Sequence, residues 1–158
     1  MTRALDLEIK NSRNIPRYIF GEGSINNLKS LLLERNDNKS GYAVYFIDIF
    51  FEKNVKPLES LPILDSDQVF YVDTQNEPTT SYVDDLKNRL MGIKKSLPHT
   101  IIGIGGGGAL DVAKAISNLL TNSGNAEDYQ GWDLVKFPGI YKIGIPTISG
   151  TGAEATRT

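Results

Sequence analysis

The chain of 158 residues has no cysteine, and its formal net charge of -2 leaves no excess of basic residues. Without cysteine it forms no disulfide and no thiolate metal site, which fits a reducing compartment. A nucleic-acid-binding protein needs Lys and Arg to neutralise phosphates, so this balance argues against a nucleic-acid partner. The composition leaves an acidic globular protein whose partners are small molecules.

Long apolar runs are also absent, and the first residues do not have the pattern of a signal peptide. We therefore expect no membrane partner, and the cytoplasm as the location. Hydrophobic residues make up 40% of the chain, and a chain of this length buries roughly 70% of its unfolded surface. One core without disulfide or metal staples is therefore sufficient.

The segment from residue 99 to residue 122 predicts a strand, a glycine loop and a helix. Residues 100–104 are mostly β-branched and apolar, which favours a short buried strand. After the glycines, apolar residues recur every three or four positions, as on the buried face of a helix. They are Leu110, Ala113, Ile116, Leu119 and Leu120.

The successive glycines Gly105, Gly106, Gly107 and Gly108 predict a cradle for pyrophosphate. Amides without neighbouring side chains approach a ligand closely, and the free N–H groups and dipole of a helix N-terminus attract anions. A tight turn or close helix packing is the alternative, which four glycines together make less favourable. Together with Gly103 they also spell the ordinary dinucleotide fingerprint, but no strand with a terminal acid follows it.

Asp48 interrupts an apolar, β-forming run over residues 42–51. A carboxylate there is costly unless it lies at the strand end and has a partner. At the carboxyl end of a parallel strand it would accept hydrogen bonds from the adenosine ribose, and its charge would disfavour a 2′-phosphate. This interpretation predicts NAD rather than NADP, and a helix cap or turn residue is the equally weighted alternative. Because Asp48 precedes the glycines, the nucleotide domain would be a variant of the ordinary one.

The remaining segments alternate strands and helices. Strands are predicted over residues 5–9, 17–20, 68–73 and 142–145, and helices after Ser24, within residues 55–64 and from residues 79–81 onward. Ser24 is predicted to cap its helix, and Trp132 and Phe137 to anchor the connection after the central helix. The alternation indicates an α/β fold with a Rossmann-like, mainly parallel sheet flanked by helices, and a ligand site at the carboxyl ends of the strands.

Hydroxyl groups follow the last predicted strand. Thr147, Ser149 and Thr151 lie in a loop with glycines, where they would donate to a phosphate, a ribose or a nicotinamide carboxamide. A plain surface loop has the same composition, so the loop alone is only suggestive.

Taken together, these segments resemble the iron-containing, or group III, alcohol dehydrogenases over nearly the whole chain. The resemblance rests on Phe-Gly-Glu-Gly at residues 20–23, on Asp48, on Gly-Gly-Gly-Gly-Ala-Leu-Asp-Val-Ala-Lys at residues 105–114, and on Pro-Thr-Ile-Ser-Gly-Thr-Gly-Ala-Glu at residues 146–154. It implies the N-terminal half of a two-domain fold shared with dehydroquinate synthase.

The resemblance also implies roles for these residues. The glycines would hold the NAD(P) pyrophosphate, the acid at position 48 would select NAD, and the hydroxyls of residues 147–151 would reach the cofactor. Asp111, expected in the first turn of the helix, would order the loop rather than touch phosphate.

Three positions depart from the family pattern. Gly108 and Ala153 stand where the family usually has serine, and Glu77 stands where it commonly has asparagine. The glycine and alanine are similar to the subgroup of 3-deoxy-D-manno-octulosonate 8-oxidases, which oxidise the terminal alcohol of a sugar acid to an aldehyde. The resemblance to this subgroup implies a sugar-acid substrate.

The family further implies a domain that this sequence does not contain. Its members carry a helical C-terminal domain that binds a divalent metal, Fe2+ or Zn2+, through one Asp and three His, whereas His99 is the single histidine here. We therefore expect residues 1–158 to be the NAD-binding domain, with no catalytic or metal-binding residue of their own. The complete enzyme would oxidise an alcohol by hydride transfer to NAD and would be a homo-oligomer, a dimer.

Two other functions are compatible with the sequence. A dehydroquinate synthase-like lyase shares the architecture and NAD, but its helix has Gly-Asp and a later Gly-Phe where this chain has Leu110-Asp111 and Lys114-Ala115. A non-catalytic nucleotide-binding module would bind NAD tightly without metal-dependent turnover.

Overall fold

The structure, a computed structural model, describes residues 15–36 and 41–156. At the centre of this part lies a parallel sheet of four strands, β1 (Ala43–Asp48), β2 (Gln68–Val72), β3 (Thr100–Gly105) and β4 (Lys142–Pro146). Their order across the sheet is β2-β1-β3-β4. The predicted α/β fold with a parallel sheet is confirmed.

In the described residues one helix precedes β1 and three helices connect the strands. They are α1 (Leu28–Arg35), α2 (Phe50–Lys53), α3 (Thr80–Ile93) and α4 (Gly107–Leu119), with short 3-10 turns at Ser24–Asn27, Lys56–Leu58 and Ala126–Tyr129. The Thr79 hydroxyl caps α3 by accepting a hydrogen bond of 3.2 Å from the Tyr82 amide. Every crossover therefore has the helical content that a parallel connection requires.

The core has two layers, one on each face of the sheet. On one face, Val44 and Phe46 of β1 pack with buried residues of α3 and α4. On the other, Tyr45 and Ile47 pack with Leu28 and other residues around α1. Successive side chains of a strand point to opposite faces, so the uninterrupted apolar run of β1 serves both layers.

The strand order places a topological switch between β1 and β3. The chain leaves β1 toward β2 on one side and leaves β3 toward β4 on the other. In such sheets the ligand crevice lies outside the carboxyl ends of the two strands that flank the switch. These ends are Asp48 and Gly105.

Two local predictions near the start of the described residues are wrong. Residues 17–20 form no strand, since they have no backbone pairing with the four-stranded sheet. The segment makes side-chain contacts, such as the hydrogen bond from Arg17 to Glu34. Ser24 does not cap a helix, since it is the first residue of the 3-10 turn and Gly23 occupies the cap position. The strand predicted over residues 5–9 lies outside the described residues.

The connection between α4 and β4 is anchored differently from the prediction. Trp132 and Phe137 are 88% and 63% exposed, so they do not anchor it. The anchor is Asn122, which is buried and whose Oδ1 accepts from the amides of Lys136 and Phe137, both at 3.0 Å. A polar side chain performs the role because a loop leaves backbone groups that need hydrogen-bond partners.

Among the described residues, no helix combines the length and the apolar character needed to cross a membrane.

Candidate functional site

The candidate site begins where Asp48 meets Gly105 at the switch point. A Cβ built on Gly105 would lie 2.8 Å from the Cβ of Asp48 and 2.8 Å from the Cβ of Ala109. The φ angle of Gly105 is +150°, which side chains rarely adopt. Glycine at this position therefore lets the end of β1 and the start of α4 approach each other closely.

The Asp48 carboxylate is half-buried and held by two donors. Its Oδ1 accepts from the Phe50 amide at 2.9 Å, and its Oδ2 accepts from the Thr74 hydroxyl at 2.8 Å. The first contact makes Asp48 a turn residue at the start of α2, as the alternative interpretation held. A carboxylate has about four acceptor positions, so roughly two are left for a ligand. Asp48 can therefore be a turn residue and still bind a ribose.

The N-terminus of α4 supplies free backbone donors. Its cap residue is Gly106, and no side chain caps it. The Leu110 amide donates to the Gly106 carbonyl at 3.2 Å, so the amides of Gly107, Gly108 and Ala109 precede the first intrahelical bond of this type. With no acidic residue in the first turn, these amides and the helix dipole favour an anion.

The loop after β4 lies along one side of the glycine turn. The Thr147 amide donates to the Gly105 carbonyl at 2.9 Å. A Cβ on Gly107 would lie 3.4 Å from the Thr151 Cβ, so the Thr151 side chain is a direct neighbour of the helix start. Ser149 is exposed in the same loop. The structure thus brings Thr147 and Thr151 to the glycines, whereas Ser149 points to no described partner.

The turn after β2 lies along the other side. A Cβ on Gly108 would meet Thr74 Cγ2 at 3.4 Å and Pro78 Cδ at 3.6 Å. Thr74 therefore bonds Asp48 and lies beside the glycine turn, although it is not among the site residues predicted from the sequence. The available signal was only a hydroxyl residue just beyond a predicted strand, because the pairing of that strand with the Asp48 strand is not visible in the sequence.

Asp111 occupies a different position from the predicted one. It is the fifth residue of α4 and lies in the second turn, because the helix begins at Gly107 rather than further along. Its carboxylate, with a side chain 52% exposed, pairs with Lys114 Nζ at 2.7 Å. Lys114 also donates to the Thr156 hydroxyl at 2.8 Å, so the pair links α4 to the end of the segment that carries Thr151.

The described residues do not fit a metal site. They contain no group of three or more His, Cys, Asp or Glu side chains that could hold a metal ion. His99 lies at the start of β3, at the opposite end of the strand from the glycines, and its Nδ1 is 2.9 Å from the Thr100 hydroxyl. Burial lowers the pKa of His99, with the charge of Asp67 opposing the effect. We therefore assign no step to a metal in this chain.

Two known proteins are similar in sequence to part of this chain. Sulfoacetaldehyde reductase of Bilophila wadsworthia (strain 3_1_6) is 41% identical over 103 residues, which cover 65% of this chain and 26% of that protein. NAD-dependent methanol dehydrogenase of Bacillus methanolicus is 43% identical over 56 residues, which cover 35% of this chain and 15% of that protein.

A solved structure shares the fold. Sulfoacetaldehyde reductase from Bifidobacterium kashiwanohense, in complex with NAD+, has a TM-score of 0.66 and 23% identity, over 87% of this chain and 35% of that one. This chain therefore spans about a third or less of the length of these relatives. The model of the iron-containing alcohol dehydrogenase family matches residues 16–158, and the chain belongs to that family.

Proposed function

We propose that this chain is the NAD-binding part of a metal-dependent oxidoreductase that converts an alcohol to an aldehyde or ketone. The observation that carries the proposal is the meeting of Asp48 with the glycine turn at the switch point of the sheet, beside an uncapped helix N-terminus. The carboxylate proposed to select the ribose and the amides proposed to hold phosphate are neighbours there, as a dinucleotide requires.

Each group has a role in binding. The amides at the start of α4 would hold the pyrophosphate, and Asp48 would accept hydrogen bonds from the hydroxyls of the adenosine ribose. Thr147, Ser149 and Thr151, with loop amides near them, would orient the cofactor from the β4 side. NAD, when bound, supplies the acceptor for the hydride that leaves the alcohol.

The names of the relatives support the reaction class. One is an NAD-dependent dehydrogenase of methanol, and another is a reductase of an aldehyde that carries a sulfonate. Within this class we propose a sugar acid such as 3-deoxy-D-manno-octulosonate as the substrate, because Gly108 and Ala153 resemble that subgroup. The divalent metal, Fe2+ or Zn2+, would belong to a second, helical domain, and the complete enzyme would be a homodimer.

The variant Asp48→Asn tests the cofactor assignment. Asparagine keeps the shape of the side chain and can bond both the Phe50 amide and the Thr74 hydroxyl, but it removes the charge that repels a 2′-phosphate. Calorimetric titration with NAD and with NADP should show the preference for NAD falling about tenfold, which corresponds to about 1.4 kcal/mol.

The matched control is Asp65→Asn, because Asp65 is an exposed carboxylate before β2, at the opposite edge of the sheet. The Asp65→Asn variant should prefer NAD over NADP as strongly as the unchanged chain does. Equal preferences in all three proteins would remove Asp48 from the site, and no binding of either dinucleotide would refute the nucleotide site itself. Tight binding without turnover in the metal-loaded complete enzyme would favour the non-catalytic module.

A further inference from the structure

We propose that Thr74 is a specificity-determining residue of the cofactor site. Its hydroxyl fixes the Asp48 carboxylate in the orientation that accepts a ribose diol and repels a 2′-phosphate. The inference rests on the proposed function, because it concerns how the same site distinguishes NAD from NADP.

The hydrogen bonds of the Asp48 carboxylate support this role. Thr74 Oγ1 donates to Oδ2 at 2.8 Å, while the Phe50 amide donates to Oδ1 at 2.9 Å. Each oxygen has its own donor, so tilting the carboxylate plane away from this orientation about the Cβ–Cγ bond would weaken both hydrogen bonds. The side chain is thus oriented before any ligand arrives, and such preorganisation improves affinity by reducing the ordering cost of binding.

The position of Thr74 is itself fixed by hydrogen bonds of the preceding residue. The preceding residue, Asp73, donates its amide to the Tyr82 hydroxyl on α3 at 2.9 Å, and its Oδ1 accepts from the Gln75 amide at 3.0 Å. The turn that carries Thr74 is therefore attached to α3 rather than free in solvent. A donor on an anchored turn holds its partner more firmly than a donor on a mobile side chain.

The Thr74 methyl group lies beside the glycine turn. Thr74 Cγ2 faces Gly108, where a built Cβ would lie 3.4 Å away. One residue therefore touches the group expected to select the ribose and the turn expected to hold the pyrophosphate. Its hydroxyl and methyl sides can be separated by mutation, because valine keeps the shape and removes only the hydroxyl.

The test compares Thr74→Val with Thr74→Ser. Without the hydroxyl, Asp48 Oδ2 loses a charge-assisted bond, so we expect the Kd for NAD to rise about tenfold. The ratio of the NADP Kd to the NAD Kd should fall severalfold, because the carboxylate charge is no longer held beside the ribose position. Serine keeps the hydroxyl and should restore both values to within about twofold of the unchanged chain.

Thr121→Val is the matched control, because it removes a hydroxyl at the far end of α4 that donates to the Asn118 carbonyl. It should change neither Kd. If Thr74→Val binds both dinucleotides as the unchanged chain does, or weakens both equally, the specificity role is refuted. Thr74→Ala, which also lacks the hydroxyl, provides the same comparison if the valine variant does not fold.

Asp48→Asn separates this inference from the proposed function. If that variant loses the preference for NAD and Thr74→Val keeps it, only the role of Thr74 fails. If Asp48→Asn leaves the preference intact, the assignment of Asp48 fails and the role of Thr74 fails with it. If the inference is correct, adding Thr74→Val to Asp48→Asn causes no further loss of preference, because both changes act through one carboxylate.

Discussion

Gly105 and Gly108 belong to one run of glycines, but their surroundings make different demands. Gly105 has a φ of +150° and two neighbours that a Cβ would meet at 2.8 Å, whereas a Cβ on Gly108 would make ordinary contacts at 3.4 Å or more. The sequence alone does not distinguish the four glycines. In the structure the backbone conformation and close neighbours of Gly105 require glycine, whereas Gly108 has room for a small side chain.

Alanine substitutions at these two positions should therefore have opposite effects on stability. Gly105→Ala should lower the free energy of unfolding by about 2 kcal/mol or more, through backbone strain and overpacking. Gly108→Ala should raise it by roughly 0.5 kcal/mol, because glycine is a poor helix former. Urea denaturation of the two variants measures both changes. A Gly105→Ala variant as stable as the unchanged chain would contradict the close approach of β1 to α4.

Helices and strands are predicted correctly from the sequence where the local pattern and the tertiary environment agree. The apolar runs of β1 and β3 are the two central strands. In α3, Val83, Leu86 and Leu90 share one helix face and are buried, whereas Ile93 at the end of that face is 54% exposed. Residues 17–20 have strand composition but no ladder in the described sheet. A strand is defined by its partner, which local composition does not specify.

The connection after α4 gives a test at this scale. Asn122 donates to the Phe137 carbonyl at 2.9 Å and accepts from two amides of the same loop. Asn122→Ala should therefore lower the free energy of unfolding by about 2 kcal/mol, because it leaves backbone groups without partners. Trp132→Ala, at a position 88% exposed, should change it by less than about 0.5 kcal/mol. Thermal and urea unfolding would measure both, and the reverse order would restore Trp132 as the anchor.

At the scale of the molecule, the parallel sheet gives its two edges different roles. The carboxyl ends of the strands carry Asp48, Gly105 and the loop of Thr147, which the sequence could predict because parallel topology brings these ends together. The contact of Thr74 with Asp48 joins residues 26 positions apart in the chain. Such a contact depends on the order of β2 beside β1, which periodicity does not reveal.

The amino ends of the strands form the other edge, where His99 provides a test of this division. Burial lowers its pKa below the ordinary value of about 6.5, with Asp67 opposing. Between the two pKa values the unfolded chain binds more protons than the folded chain. The contribution of His99 to the free energy of unfolding should therefore be fully present above about pH 6.5 and be lost as the pH decreases through the lowered pKa. Urea denaturation from pH 5 to pH 8 should show this decline, and His99→Gln should flatten it. The Kd for NAD at neutral pH should be the same in both proteins, since the residues proposed to bind the cofactor lie at the opposite edge. A changed Kd would mean that the two edges are coupled through the strands.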